Sequence, residues 1–185
     1  MSWLIAGLMT FFGVHVFTSF RSTREKLLGR LGEGPYKGIY LLLSLLGFAL
    51  IVIGVGRAER VPLWVPPQWG RSAALRLMPL AFISLAASSI PSNFRRITAH
   101  PMLWGVTLWA LLHLLANGDL VALLLFGGFG LYSVYAMGSQ TQRGARPTDR
   151  KLSIANDIAV VVAGLVAYAL VLEFHANLFG VPAML

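Results

Sequence analysis

Four histidines and no cysteine set what ligand or proton chemistry this 185-residue chain can offer. Two of them, His15 and His113, sit inside apolar runs. From Pro101 to Asn117 no residue carries a formal charge, so His113 is an ionisable group at membrane depth if that run spans a bilayer. Such groups usually face a bundle interior, where they pair, ligate a metal or relay protons. His100 stands just before Pro101, where the pre-proline restriction marks a helix start and an interfacial ring is the plain reading. His175, beside Glu173, reads as an interfacial, solvated pair. Without cysteine there can be no disulfide, iron–sulfur cluster, thiolate-ligated haem or covalent c-type haem. A metal would have to take imidazole, carboxylate, thioether or backbone ligands.

On a straight helix His100 and His113 lie about 20 Å apart along the axis and roughly 140° apart around it. One metal cannot take both. His15 comes from another helix, which leaves His15 with His113, or His15 with His100 as the rival. Depth favours the rival, since His15 lies about 18 Å below the outer surface and His113 only about 6 Å. Burial favours His113. Residues four away on a helix share a face, so Trp109 and Asn117 are expected to line the same pocket as His113, and Phe11 and Ser19 the same pocket as His15.

The composition says what must position these groups. Hydrophobic residues make up 57% of the chain and charged residues 12%, with a mean hydropathy of +0.72, which is foreign to a soluble domain of this size. The expected fold is an all-α, polytopic membrane helix bundle of about six transmembrane helices plus a short interfacial helix, with membrane lipid as its first partner. The net charge of +8 does not point to nucleic acid, because the basic residues are spread between apolar runs instead of forming one face.

The expected spans are residues 3–20, 36–56, 73–90, 101–117, 120–137 and 154–174. The charges follow the first run and no small-residue cleavage site is evident, so it is expected to be a retained helix and not a signal peptide. Residues 21–35 read as the interfacial helix, with Ser22 and Glu25 at capping-box spacing and Leu27, Leu28 and Leu31 on one side. Residues 57–71, with Trp64, Pro66, Pro67 and Trp69, are too interrupted by proline for a helix. Asn117-Gly118-Asp119 suggests a tight turn made by residues that tolerate positive φ, hence an antiparallel hairpin of the fourth and fifth spans. Asn156 and Asp157 suit the N-terminal end of the last span. No internal repeat or second domain is evident, so one domain over residues 1–185 is expected.

Alternate connections hold Arg21, Arg24, Lys26, Arg30 and Lys37, then Arg95 and Arg96, then Arg143, Arg146, Arg150 and Lys151, eleven of fifteen basic residues. The opposite side keeps Arg57, Arg60, Arg71 and Arg76. The positive-inside rule then places both termini outside the cytoplasm, in the periplasm if the cell is Gram-negative.

Two resemblances follow. Arg95, Arg96, His100, Pro101 and Gly105 resemble the Arg-His-Pro plus Gly signature of membrane methyltransferases that use S-adenosylmethionine, a phosphate- or cofactor-binding pattern, but the adjacent glutamates of their second signature are missing from residues 138–151. A closer one covers nearly the whole chain. GVHVFTSFRSTREKLLGRLGEGPYKGIYLLLSL (13–45), the LW and PPQW loop, PSNFRRITAHPMLWG (91–105) and LWALLHLLANGDLVALLLFGGF (108–129) resemble the NnrU family, bacterial membrane proteins associated with denitrification and nitric oxide metabolism. That family is related to 15-cis-zeta-carotene isomerase, a b-haem membrane enzyme sharing the first-helix histidine, the R-x-x-x-HP segment and the W-x-x-x-H helix.

The resemblance implies haem b ligated by His15 and His113 in the bacterial inner membrane, with a redox, nitric oxide related or accessory role. A haem-dependent cis–trans isomerase of an apolar polyene is the alternative. Ala110 stands where the isomerase has a cysteine, so ligand exchange onto a thiolate is not open to this chain. A cofactor-free assembly subunit is the third reading.

Overall fold

A computed structural model describes residues 1–181 and 183. Its elements are α1 (Ser2–Phe17), α2 (Arg21–Leu31), α3 (Glu33–Arg57), α4 (Gly70–Ser89), α5 (Phe94–Ile97) and α6 (Pro101–Ala116). A continuous α7 (Leu120–Gln142) follows, then α8 (Ile154–Glu173) and α9 (His175–Phe179). Among the described residues there is no strand, only an isolated antiparallel bridge between Pro62 and Asp119. The all-helical membrane fold expected from composition is what the chain forms.

The number of crossings is less simple than six. Four helices, α3, α4, α7 and α8, are long and apolar enough to cross a membrane, and α1 with α2 forms a pair bent by 90° that qualifies only as one broken span. The apolar α6 has 16 residues, about 24 Å of helix against a hydrocarbon core of about 30 Å. Six is reached only by counting both α1 and α6 as crossings. Leu41, Leu42, Leu45 and Leu46 of α3 and Ile158, Val162, Leu165 and Val166 of α8 are all exposed. Exposed apolar faces of that extent fit lipid and not water.

Contacts group the chain into two compact units, residues 1–63 with 119–128 and residues 64–118 with 129–185. In the first, α1 lies on α3 with almost no side chain between them. A Cβ on Gly47 would come within 2.7 Å of the Phe11 backbone nitrogen, and one on Gly54 within 2.3 Å of that of Leu4. Lipid tails offer no hydrophobic gain for helix association, so close backbone contact over small residues has to supply it. Leu4, Leu8 and Ile51 are buried around this contact. The capping box expected at Ser22 and Glu25 does not form: Phe20 is the N-cap, no side chain caps α2, and Glu25 faces Arg21 at 3.9 Å. Leu27 and Leu28 are half-buried, but Leu31 is exposed.

Asp119 anchors the start of α7 in this unit. One carboxylate oxygen accepts the Ala122 amide at 2.9 Å and the other accepts from Arg60 at 3.1 Å. Within α7, residues Leu123–Gly127 wind as a π segment, and Gly128 lies where a Cβ would meet the Phe12 ring of α1 at 3.0 Å. Nothing in the apolar run marks that change of winding.

The second unit is built around α4, which packs against both α6 and α8. A Cβ on Gly164 would come within 2.6 Å of Ile83, and one on Gly105 within 2.9 Å of the Ala81 carbonyl. Gly105 therefore serves helix packing. Met78, Ala81 and Leu112 form the core here, flanked by Phe82, Trp109 and Tyr168. Asp157 stands in the first turn of α8, as expected, but its carboxylate holds Asn93 through the backbone N–H and the side-chain amide, each at 2.7 Å. The cap itself is Ser153, which accepts from the Ala155 amide at 3.3 Å.

The turn expected at Asn117-Gly118-Asp119 is instead extended: Asn117 has φ −131° and ψ 136°, and Gly118 has no positive φ. Gly118 is required for another reason. A Cβ there would sit 2.0 Å from the Trp64 carbonyl oxygen, and the Gly118 carbonyl accepts from the Trp64 amide at 3.1 Å. Close backbone pairing, not turn chemistry, selects the glycine.

Pro79 lies inside α4. Having no N–H, it leaves the carbonyl of Leu75, four residues earlier, without its helical donor. Tyr168 of α8 supplies one, its hydroxyl donating to Leu75 O at 2.7 Å. Freed carbonyls at membrane depth are re-satisfied by neighbouring helices in this way. Tyr168→Phe is expected to cost about 1–2 kcal/mol of unfolding free energy. In a Pro79→Ala background, where the helical N–H returns, the loss should largely vanish. An equal loss in both backgrounds would show that Tyr168 acts through packing alone.

Candidate functional site

His15 and His113 occupy the same local position in two different helices, and in each case the backbone fixes the ring. Both stand in the last turn of a 16-residue helix. His15 Nδ1 lies 2.7 Å from the Phe11 carbonyl, and His113 Nδ1 lies 2.8 Å from the Trp109 carbonyl. A carbonyl can only accept, so in both rings Nδ1 is the donor and the lone pair resides on Nε2. The outer contacts repeat as well. The carbonyl of His15 accepts from the Thr18 hydroxyl at 2.7 Å, and that of His113 from the Asn117 amide at 2.9 Å.

Aromatic rings flank both imidazoles. The Phe11 ring stacks on His15, with centroids 4.1 Å apart and planes 26° apart, and Tyr40 of α3 is tilted against the same ring at 5.4 Å. Trp109 is tilted against His113 at 5.0 Å and meets Phe129 edge-on at 5.8 Å. Helical spacing within α1 does not point to Tyr40, which comes from another helix. Its place beside His15 follows from the register of α1 on α3, which the glycine contact at Gly47 fixes.

Two of the expected lining residues stand at or beyond the end of their helix. Ser19 lies beyond the end of α1, in a turn closed by its own amide on the Val16 carbonyl at 2.9 Å. Asn117 is the C-cap of α6, and both its backbone N–H and its side-chain amide donate to the His113 carbonyl at 2.9 Å.

His15 belongs to the first compact unit and His113 to the second. His100, the rival, is partly buried at the start of α6, and its Nε2 lies 2.9 Å from the Thr141 hydroxyl. His175 bonds through Nδ1 to the Val181 carbonyl at 2.6 Å, not to Glu173. Among the described residues no three of His, Cys, Asp and Glu gather as a metal site. That suits structural zinc or a carboxylate-bridged metal poorly. A haem iron takes its four equatorial ligands from the macrocycle and asks the protein for one or two axial donors. Imidazoles whose Nδ1–H is held by a carbonyl, with Nε2 as the donor atom, are of the right type for that task.

These features define a polytopic membrane protein whose two helix-end histidines have backbone-fixed rings. The chain belongs to the NnrU family: the family model described as NnrU protein matches residues 3–183, nearly its whole length. No curated protein and no solved structure matches it.

Proposed function

We propose that this NnrU-family chain is a haem-b protein of the bacterial inner membrane, with His15 and His113 as candidate axial ligands and a redox, nitric oxide related or accessory role in denitrification. The observation that carries the reading is the repeated Nδ1–H to carbonyl bond, which orients each imidazole and raises the donor strength of its Nε2. Phe11, Tyr40 and Trp109 supply aromatic surface of the kind that packs against a flat macrocycle. Bound haem b would supply one-electron redox chemistry and an iron with affinity for nitric oxide. The protein's own part is to hold the imidazoles, keep the surroundings apolar and present the site to the membrane.

The optical spectrum of the protein purified from haem-sufficient cells tests this. A Soret band with α and β bands on reduction is expected. A preparation with no visible absorption after haem reconstitution would leave the assembly-subunit reading standing. We also infer that both termini lie outside the cytoplasm, from the eleven-to-four division of basic residues. A reporter fused after α9 should be active only outside the cytoplasm, and cytoplasmic activity would overturn that orientation.

A further inference from the structure

The second unit also holds a cleft of about 680 Å³ between the end of α4, the start of α6 and the connector before α8. It involves neither His15 nor His113 and is independent of the haem reading. Arg95, Arg146 and Arg150 line it, and no Asp or Glu does. None of the three arginines is in an ion pair among the described residues. Two are braced against backbone: Arg95 donates to the Ser88 carbonyl at 2.5 Å, and Arg146 to the Thr141 and Ala145 carbonyls at 2.9 Å. A guanidinium has five N–H donors, so bracing leaves donors for a ligand.

Two further observations point to a ligand. Ser92 lines the cleft, is only 1% exposed, and its hydroxyl has no hydrogen-bond partner among the described residues. The Nδ1 of His100, also in the lining, is buried without a partner among the described residues. A buried polar atom left unpaired costs about 1–3 kcal/mol, so the wall is built for something that completes it. The N-terminus of α6 adds to the same cleft. Met102 and Leu103 line it from the first turn, and no side chain caps that helix. Its early amides and the positive end of its dipole favour an anion.

Forked guanidinium donors, a hydroxyl and helix-start amides together call for a compact anion with several acceptor oxygens. We infer that this cleft binds a phosphate group, carried either by an anionic phospholipid headgroup or by a soluble phosphate. Pro91, Ala99, Met102 and Leu152 give the same cleft an apolar side, which suits a phosphate joined to an apolar body as well as one alone.

The full chain in neutral detergent is to be titrated separately with inorganic phosphate and with short-chain phosphatidylglycerol, using a diacylglycerol as the phosphate-free lipid reference. Binding is read from the thermal midpoint and from bound mass in native mass spectrometry. At least one of the two phosphate probes should bind, and the diacylglycerol should not. Binding of phosphatidylglycerol alone identifies a headgroup site, and binding of inorganic phosphate identifies a site open to soluble ligand. Arg150 makes no side-chain hydrogen bond or ion pair among the described residues, so Arg150→Gln should fold and weaken the apparent affinity about tenfold. Ser92→Ala should weaken it by a smaller factor, and Arg24→Gln in α2 should leave it unchanged. If neither probe binds, or if Arg24→Gln weakens binding as much as Arg150→Gln, the inference is wrong.

Discussion

His113→Ala is expected to lower the haem content of the purified protein by about tenfold or more, and His15→Ala to do the same. Each substitution removes an Nε2 donor while leaving its helix able to form, because alanine is the best helix former. Loss of fold is separated from loss of a ligand by adding imidazole to the variant, which should restore much of the absorption where a ligand alone is missing. The bond that orients His113 ends on the backbone carbonyl of Trp109. Trp109→Phe should therefore keep haem, with a modest change in the spectrum. If His113→Ala retains full haem and an unchanged low-spin spectrum while His100→Ala loses it, the ligand is His100 and the assignment to His113 fails.

Gly47→Leu is the substitution expected to damage the fold most. The Cβ alone would lie 2.7 Å from the Phe11 nitrogen and 3.0 Å from its Cα, and backbone cannot turn aside as a side chain can. Overpacking costs about 1–3 kcal/mol where rotamers absorb it and more where they do not. The thermal midpoint should fall steeply. Displacement of Phe11 would also move the carbonyl that holds His15, so the haem absorption expected from ligation by His15 should weaken at temperatures where the helices persist. Gly38→Leu on the same helix meets nothing within 4 Å and should be close to neutral. Equal stability of the two variants would show that α1 and α3 do not associate through this contact.

Composition and the placement of charge were enough to make this a multi-helix membrane protein, because burying no charge over some twenty residues is a requirement the bilayer imposes on sequence directly. The local hydrogen bonds of His15 and His113 were close to legible too, since an imidazole and the carbonyl four residues before it are neighbours on any helix. Where each helix stops was not. That decision placed Ser19 beyond the end of α1, made Asn117 a cap, and left α1 and α6, at 16 residues each, shorter than the four helices that qualify as crossings on their own.

Long-range pairings were the other thing only the tertiary structure decided. Gly118 looked like a turn residue and is a place where two backbones touch, Pro79 is tolerated because Tyr168 ninety residues away reaches Leu75, and Arg95, Arg146 and Arg150 converge on one cleft. In each case the partner is set by the register of packed helices. Periodicity along one helix carries no information about which residue of another helix stands opposite, so such contacts appear only when the helices are assembled.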